Sequence, residues 1–142
     1  MVRKHASRRG QIGIATMHRR TLLLLAALGL AAAAANAQLQ RNFPTDSLRG
    51  TLGIAHPPEA VLNGAPVRLA PGVRIRGQNN LLATTGAFAG QSFVVNYTID
   101  MQGQIKDVWV LTDDELAKPW PKTREEAASW RFDAATRSWI RP

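Results

Sequence analysis

Residue types that could carry out hydrolysis are few in this sequence of 142 residues. His56 is the one histidine beyond residue 37. A Ser-His-Asp site would need a serine beside it, and no serine beyond residue 37 lies in a G-x-S-x-G turn. These serines are Ser47, Ser92, Ser129 and Ser138. We predict that His56 ends a strand and that the chain has no catalytic residue. The alternative is a hydrolase or another enzyme whose site is assembled only in three dimensions.

Metal ligands are equally few. The chain has no cysteine, which excludes a disulfide scaffold, a thiolate metal site and a thiol nucleophile. Zinc or copper would need more nitrogen and sulfur ligands than one imidazole and Met101 provide. The acidic residues 113–115 lack the spacing of a calcium-binding loop. They follow Thr112 in the capping-box pattern that begins a helix. The sequence predicts no metal and no cofactor.

Three arginines are the best candidates for binding among the charged residues. Alternation places Arg68, Arg74 and Arg76 on the outer face of one predicted sheet. Like charges side by side repel each other, so this face could meet an anionic glycan, a lipid surface or another envelope protein. Glu59 can neutralise one of the three charges, and the alternative is a solvated face that Asp100 or Asp107 balances.

Four tryptophans are many for a chain of this size: Trp109, Trp120, Trp130 and Trp139. The predicted register points Trp109 away from the interior, where an uncovered indole would form a sticky patch. In one interpretation the C-terminal tail folds back, and Trp120 or Trp130 covers Trp109 as a lid. In the other, tryptophans line a groove for a peptide or a sugar. Trp109, Trp120 and Trp130 therefore join the three arginines as candidate binding residues.

The elements that must position these residues are predicted to be short strands. Apolar residues alternate with polar ones over residues 48–111, and Gly, Pro and Asn interrupt the alternation. Asn63-Gly64 is the preferred pair for a type I′ turn, because both central residues of that turn need a positive φ. A two-residue turn there pairs Glu59 with Arg68 across a first hairpin.

A second hairpin is predicted around a four-residue loop, residues 100–103. Gly103 stands where the loop needs a positive φ. Closing this loop pairs Val95 with Val108 on the inner face. The two hairpins together predict an all-β fold: a small, partly open barrel of five or six antiparallel strands. A short, helical, tryptophan-rich tail follows the barrel.

A resemblance to a known group supports the same architecture. Residues 50–112 contain a Gly-Thr strand, an L-N-G turn, an L-x-P-G-x-R-I segment, a Gly-Gln-led valine-rich strand and a final G-x-I strand. In this pattern the chain resembles a group of exported proteobacterial proteins of unknown function. The resemblance implies a small barrel of OB-like shape. It rests on turn and core residues, so it carries no catalytic residue across.

The first 37 residues have the pattern of a secretory signal peptide. Basic residues at positions 18–20 precede an uncharged run over residues 21–35, and Ala35-Asn36-Ala37 fits an A-x-A cleavage site. We expect cleavage after Ala37. The uncharged run would be about 22 Å long as a helix, short of the ~30 Å hydrocarbon core, so we expect no transmembrane segment in the mature chain.

The positive charge is concentrated in that leader. The chain has a formal net charge of +8, with 18 Lys plus Arg and 10 Asp plus Glu. Residues 1–37 hold six of the basic residues and no acidic one, so the remainder carries only +2. We therefore expect no nucleic acid among its partners.

These patterns predict four regions. Residues 1–37 form the signal peptide, 38–47 an extended arm, 48–112 the barrel and 113–142 a tail that packs on the barrel. Met1 and Met17 are both possible starts, and the general secretory and twin-arginine routes both stay open. We expect a periplasmic or secreted protein that serves as a non-enzymatic binding or structural module of the cell envelope.

Overall fold

The structure, a computed structural model, describes residues 40–142. Residues 41–142 form one compact unit. The predicted signal peptide, its cleavage site and the two possible starts lie outside the described residues. Among the described helices, none combines the length and the apolar character that a membrane crossing requires.

The described residues form strands connected by tight turns, with a few short helices. The strands are β1 (Leu48–His56), β2 (Glu59–Leu62), β3 (Ala65–Arg76), β4 (Leu82–Ala83), β5 (Ser92–Ile99), β6 (Ile105–Val110), β7 (Arg131–Asp133) and β8 (Ser138–Ile140). The helices are a 3-10 turn (Thr85–Phe88), α1 (Asp113–Leu116) and α2 (Arg124–Ser129). The predicted all-β fold with a short helical tail is confirmed.

Five of the strands close into a barrel. The order around the barrel is β1-β2-β3-β6-β5, because β2 pairs with β3 and β5 pairs with β1. Strand β4 adds a sixth strand at the side of β3. A ring with an odd number of strands cannot alternate in direction all the way round. One neighbouring pair must therefore be parallel, and that pair is β3 and β6. Five is also the strand number of the OB-fold barrel.

The first hairpin has the predicted register. Glu59 pairs with Arg68, and Leu62 pairs with Ala65. Asn63 and Gly64 have φ of 53° and 82°, which is the conformation that their types favour.

The predicted register of the second hairpin is wrong by two residues: Val95 pairs with Val110, not with Val108. Two features cause the shift. The Asp100 backbone N–H donates to the carbonyl of Gln104 over 2.8 Å, which shortens the loop to residues 101–103. A β-bulge then adds one unpaired residue, Lys106. Beyond the bulge the shift is two positions. Side chains alternate between the two faces, so Asp107, Val108, Trp109 and Val110 stay on their predicted faces.

The inward side chains form one apolar core. Its most completely buried members include Leu52, Ile75, Val95, Ile105 and Val108. The outer face of β1, β5 and β6 is also buried in part, because the arm and the tail pack on it. The Trp120 indole N–H donates to the carbonyl of Ser47 over 2.9 Å, and the Arg49 backbone N–H donates to the carbonyl of Pro121 over 2.8 Å. These contacts position the candidate site.

Candidate functional site

Trp109 points away from the barrel interior and is nevertheless only 7% exposed. Phe43 of the arm packs edge-on against its ring, with centroids 5.9 Å apart. Phe43 makes the same type of contact with Trp120, at 5.6 Å, and so stands between the two indoles. The Arg76 guanidinium lies 5.8 Å from the centroid of the Trp109 ring. The sequence predicted that a tail residue, Trp120 or Trp130, covers Trp109, whereas the arm supplies the covering ring, Phe43.

The tail continues this aromatic layer. Trp120 contacts Trp139 and Phe132, with centroids 6.1 and 6.2 Å away. Phe132 and Trp139 belong to β7 and β8, so this small hairpin is held against the barrel through Trp120. The third predicted binding tryptophan, Trp130, has the Arg141 guanidinium 5.1 Å from its ring centroid. The structure thus joins Trp109 and Trp120 through Phe43, and it places Trp130 beside Arg141.

Arg41 fixes the arm to both the barrel and the tail. Its side chain is 5% exposed and forms an ion pair with Glu115, in which Nε donates over 2.8 Å. The same guanidinium donates to the carbonyls of Gly77 and Val110, over 2.8 and 2.7 Å. Burial acts to raise the pKa of Glu115. The hydrogen bonds from Arg41 and Thr112 outweigh burial and hold this pKa below its ordinary value.

Glu115 also completes the predicted capping box of α1. Its carboxylate accepts from the Thr112 backbone N–H over 2.9 Å, and its own backbone N–H donates to the Thr112 hydroxyl over 3.4 Å. The acidic residues that follow Thr112 therefore serve the helix, as their pattern indicates. Within residues 40–142 there is no group of three His, Cys, Asp or Glu side chains that could hold a metal ion.

Arg49 connects the barrel to the C-terminal end of α1. Its guanidinium donates to the carbonyls of Glu115 and Lys118, over 3.1 and 2.6 Å, and to the side-chain oxygen of Asn96 over 3.3 Å. No carboxylate is among these acceptors. Burial lowers the pKa of Arg49, and the charge of Glu115 opposes that effect. The Asn96 side-chain nitrogen beside it is buried without a hydrogen-bond partner.

The three predicted binding arginines each lie beside a partner within the chain. Arg68 forms an exposed ion pair with Glu59, at 3.4 Å. Arg74 donates to Asp107 over 2.8 Å. Arg76 stacks on Trp109, as described above. Arg68 also lines a cavity of about 420 Å³ with residues of β3 and of the two adjoining loops.

A larger cleft opens between β1 and the tail, with a volume of about 770 Å³. Its lining includes four basic residues, Arg49, Lys118, Lys122 and Arg141, and no acidic one. None of the four takes part in an ion pair within the described part of the chain. We call this site the cationic cleft. Trp120 is the one residue of the six predicted site residues that lines it.

Residues of both the barrel and the tail form the cationic cleft. Arg49 and Thr51 come from β1, and Asn63 from the turn of the first hairpin. Lys118 and Lys122 come from the segment between α1 and α2. The electrostatic potentials of like charges along a concave, low-dielectric wall add up. The summed potential raises the local concentration of counter-ions. The arrangement can therefore attract and hold a negatively charged group.

The four basic residues of the cleft were not among the predicted site residues. Alternation along β1 indicates that Arg49 lies on the face opposite the core residues Leu48 and Leu52, but it gives no indication that the tail covers this position. Lys118 and Lys122 flank Pro119-Trp120-Pro121, and such a basic pair around a rigid aromatic segment was the one local signal available.

His56 lies exposed at the end of β1, where it pairs with Glu59. This is the strand-end position that the sequence predicted for it. Comparison of the chain with protein-family models, with curated proteins and with solved structures finds no match.

Proposed function

We propose that this protein is a non-enzymatic binding module of the bacterial cell envelope, and that the cationic cleft is where it holds an anionic component. The signal-peptide pattern of residues 1–37 supports a periplasmic or secreted location. The observation that carries the proposal is the lining of the cleft, which has four basic side chains and no acidic one.

The charge balance favours the cleft over the arginine face of β3. Arg68 and Arg74 have carboxylate partners within the chain. An external anion would have to compete with those partners. Arg49 has no carboxylate among its hydrogen-bond acceptors, and none of the four basic side chains of the cleft forms an ion pair within residues 40–142. An anion would therefore not have to displace a carboxylate from any of these four side chains. Bringing like charges together is unfavourable, and an anion between them relieves the repulsion.

The cleft is also largely pre-formed. Three main-chain carbonyls of the tail and one side-chain oxygen hold the Arg49 guanidinium in place. The Lys122 backbone N–H donates to the Glu126 carboxylate over 2.8 Å, which fixes the start of the segment that leads into α2. A ligand that binds a fixed site loses less free energy to ordering the protein.

Calorimetric titration of the full chain with inorganic pyrophosphate tests this proposal. We expect the variants Lys122→Glu and Arg141→Glu each to weaken binding at least tenfold. Lys106→Glu is the matched control, since it makes the same change in net charge at an exposed residue outside the cleft. We expect binding to that control to stay within twofold of the unsubstituted chain. Equal weakening of pyrophosphate binding in all three variants would overturn the proposal, and so would a chain that binds neither pyrophosphate nor a larger soluble polyanion.

A further inference from the structure

We infer that the anionic ligand of the cationic cleft is an acidic glycan, a chain of sugar rings that carry negatively charged groups. This inference rests on the function proposed above and goes further by naming the ligand class. It follows from the neutral residues of the cleft, which a small inorganic anion would leave unused.

The first neutral feature is a hydrogen-bonding edge formed by Thr51 and Asn63. The Asn63 side-chain oxygen accepts from the Thr51 backbone N–H over 2.9 Å, so its amide is held in one orientation. The oxygen is engaged there, and the side-chain nitrogen of Asn63 is left to donate. Both residues are exposed and line the cleft. A fixed amide donor beside a hydroxyl that can both donate and accept matches the hydroxyl groups of a sugar ring.

The second neutral feature is carbon surface. Val94 and Pro119 line the same cleft, and Val94 is 38% exposed. A phosphate or sulfate ion gains nothing from apolar surface. The C–H groups of a sugar ring bury their own apolar area against it, which is favourable in water. The cleft therefore combines cations, neutral hydrogen-bonding groups and apolar carbon. These match the anionic groups, the hydroxyl groups and the C–H groups of an acidic sugar, respectively.

The size of the cleft agrees with a ligand of this class. Its volume of about 770 Å³ lies in the range of ~300–1,000 Å³ that small-molecule sites occupy. A single water takes up about 30 Å³, so an inorganic anion a few times larger would fill only a small part of the cleft. A short run of sugar rings would fill it and would bring more than one negative group to the four cations.

The test compares three soluble probes on the full chain: tetragalacturonate, the neutral tetrasaccharide maltotetraose, and inorganic pyrophosphate. We expect tetragalacturonate to bind at least tenfold more tightly than pyrophosphate, and maltotetraose at least tenfold more weakly than tetragalacturonate. The variant Thr51→Val removes the hydroxyl at nearly constant volume. It should weaken tetragalacturonate three- to tenfold and leave pyrophosphate unchanged. Thr84→Val, at an exposed threonine outside the cleft, is the matched control and should change neither.

The outcomes separate the two proposals. If pyrophosphate binds at the cleft, tetragalacturonate is no tighter and Thr51→Val affects neither, the glycan inference is overturned and the proposed function stands. If no anionic probe binds, both are overturned. Phosphatidylglycerol vesicles form a fourth arm. Binding of those vesicles that Lys122→Glu abolishes, without binding of tetragalacturonate, would identify a lipid headgroup and overturn the glycan inference.

Discussion

Arg41 and Glu115 form a partly buried ion pair although 74 positions separate them in the chain. Glu115 also binds a second arginine, because its main-chain carbonyl accepts a hydrogen bond from Arg49. One short helix, α1, is thereby fixed from the arm through Arg41 and from the barrel through Arg49. Lys118 follows that helix directly, so these two arginines set the position of one wall of the cationic cleft.

Breaking this pair should destabilise the whole fold. Arg41→Ala removes the charged hydrogen-bond partner of the Glu115 carboxylate, and we expect it to lower the free energy of unfolding by about 2 kcal/mol. Arg68→Ala removes the exposed partner of Glu59 and should lower it by less than about 1 kcal/mol. Urea denaturation of both variants measures the difference. Equal losses in the two would show that burial of the Arg41 pair contributes nothing.

The same pair should make stability depend on pH. The pKa of Glu115 lies below its ordinary value of about 4.5 in the folded chain, so the unfolded chain binds the proton more readily. Its contribution is fully present above that ordinary value and is lost as the pH falls through the folded value. Denaturation between pH 3 and pH 7 should show this loss, and Glu115→Gln should make the acid side of the curve shallower. An unchanged slope in Glu115→Gln would contradict the assignment.

Phe43 should keep water from two tryptophans. Its ring lies between Trp109 and Trp120, so Phe43→Ala should expose both indoles and shift the fluorescence emission to longer wavelength. Phe88→Ala is a suitable control, because Phe88 packs edge-on against Phe93 and forms no ring contact with a tryptophan of residues 40–142. We expect no emission shift in that control. Identical emission from the unsubstituted chain and Phe43→Ala would show that Phe43 does not cover the indoles.

Gly103 should be required in the turn of the second hairpin for its backbone conformation, and not for lack of space around it. Gly103 has φ of 78°, and a methyl group added there would meet no atom within 4 Å. Gly103→Ala should therefore lower the free energy of unfolding by about 1 kcal/mol through backbone strain. Gly86→Ala is the matched control, since Gly86 has equal space and no positive φ in the left-handed range. A loss of the same size at Gly86 would contradict this explanation.

Local chemistry predicted much of the barrel. Asn63-Gly64 predicted the exact register of the first hairpin, because few other residue pairs accept two positive φ values. The loop at Gly103 was recognised, but its register was not, since the bulge at Lys106 depends on how β6 meets β5 and β3 together. The residues of β6 beyond the bulge keep their predicted faces, because the shift there is an even number of residues.

The outer layer could not be predicted in the same way. Alternation tells which face Arg49 and Asn96 occupy, but it does not tell what packs over that face. The arm and the tail reach it from sequence positions far away, as the contacts of Arg41 and Trp120 show. A basic residue in such a covered position has no local pattern to distinguish it from a solvated one. This is why the sequence directed attention to Arg68, Arg74 and Arg76 rather than to the cationic cleft.

Backbone amide chemical shifts of the full chain, followed by NMR during titration with pyrophosphate and then with tetragalacturonate, test the central claim most directly. The account predicts that the largest changes with both probes fall at Thr51, Asn63 and Lys122, around the cationic cleft. Changes that are largest at Arg68, Arg74 and Arg76, or that spread evenly over the surface, would contradict it.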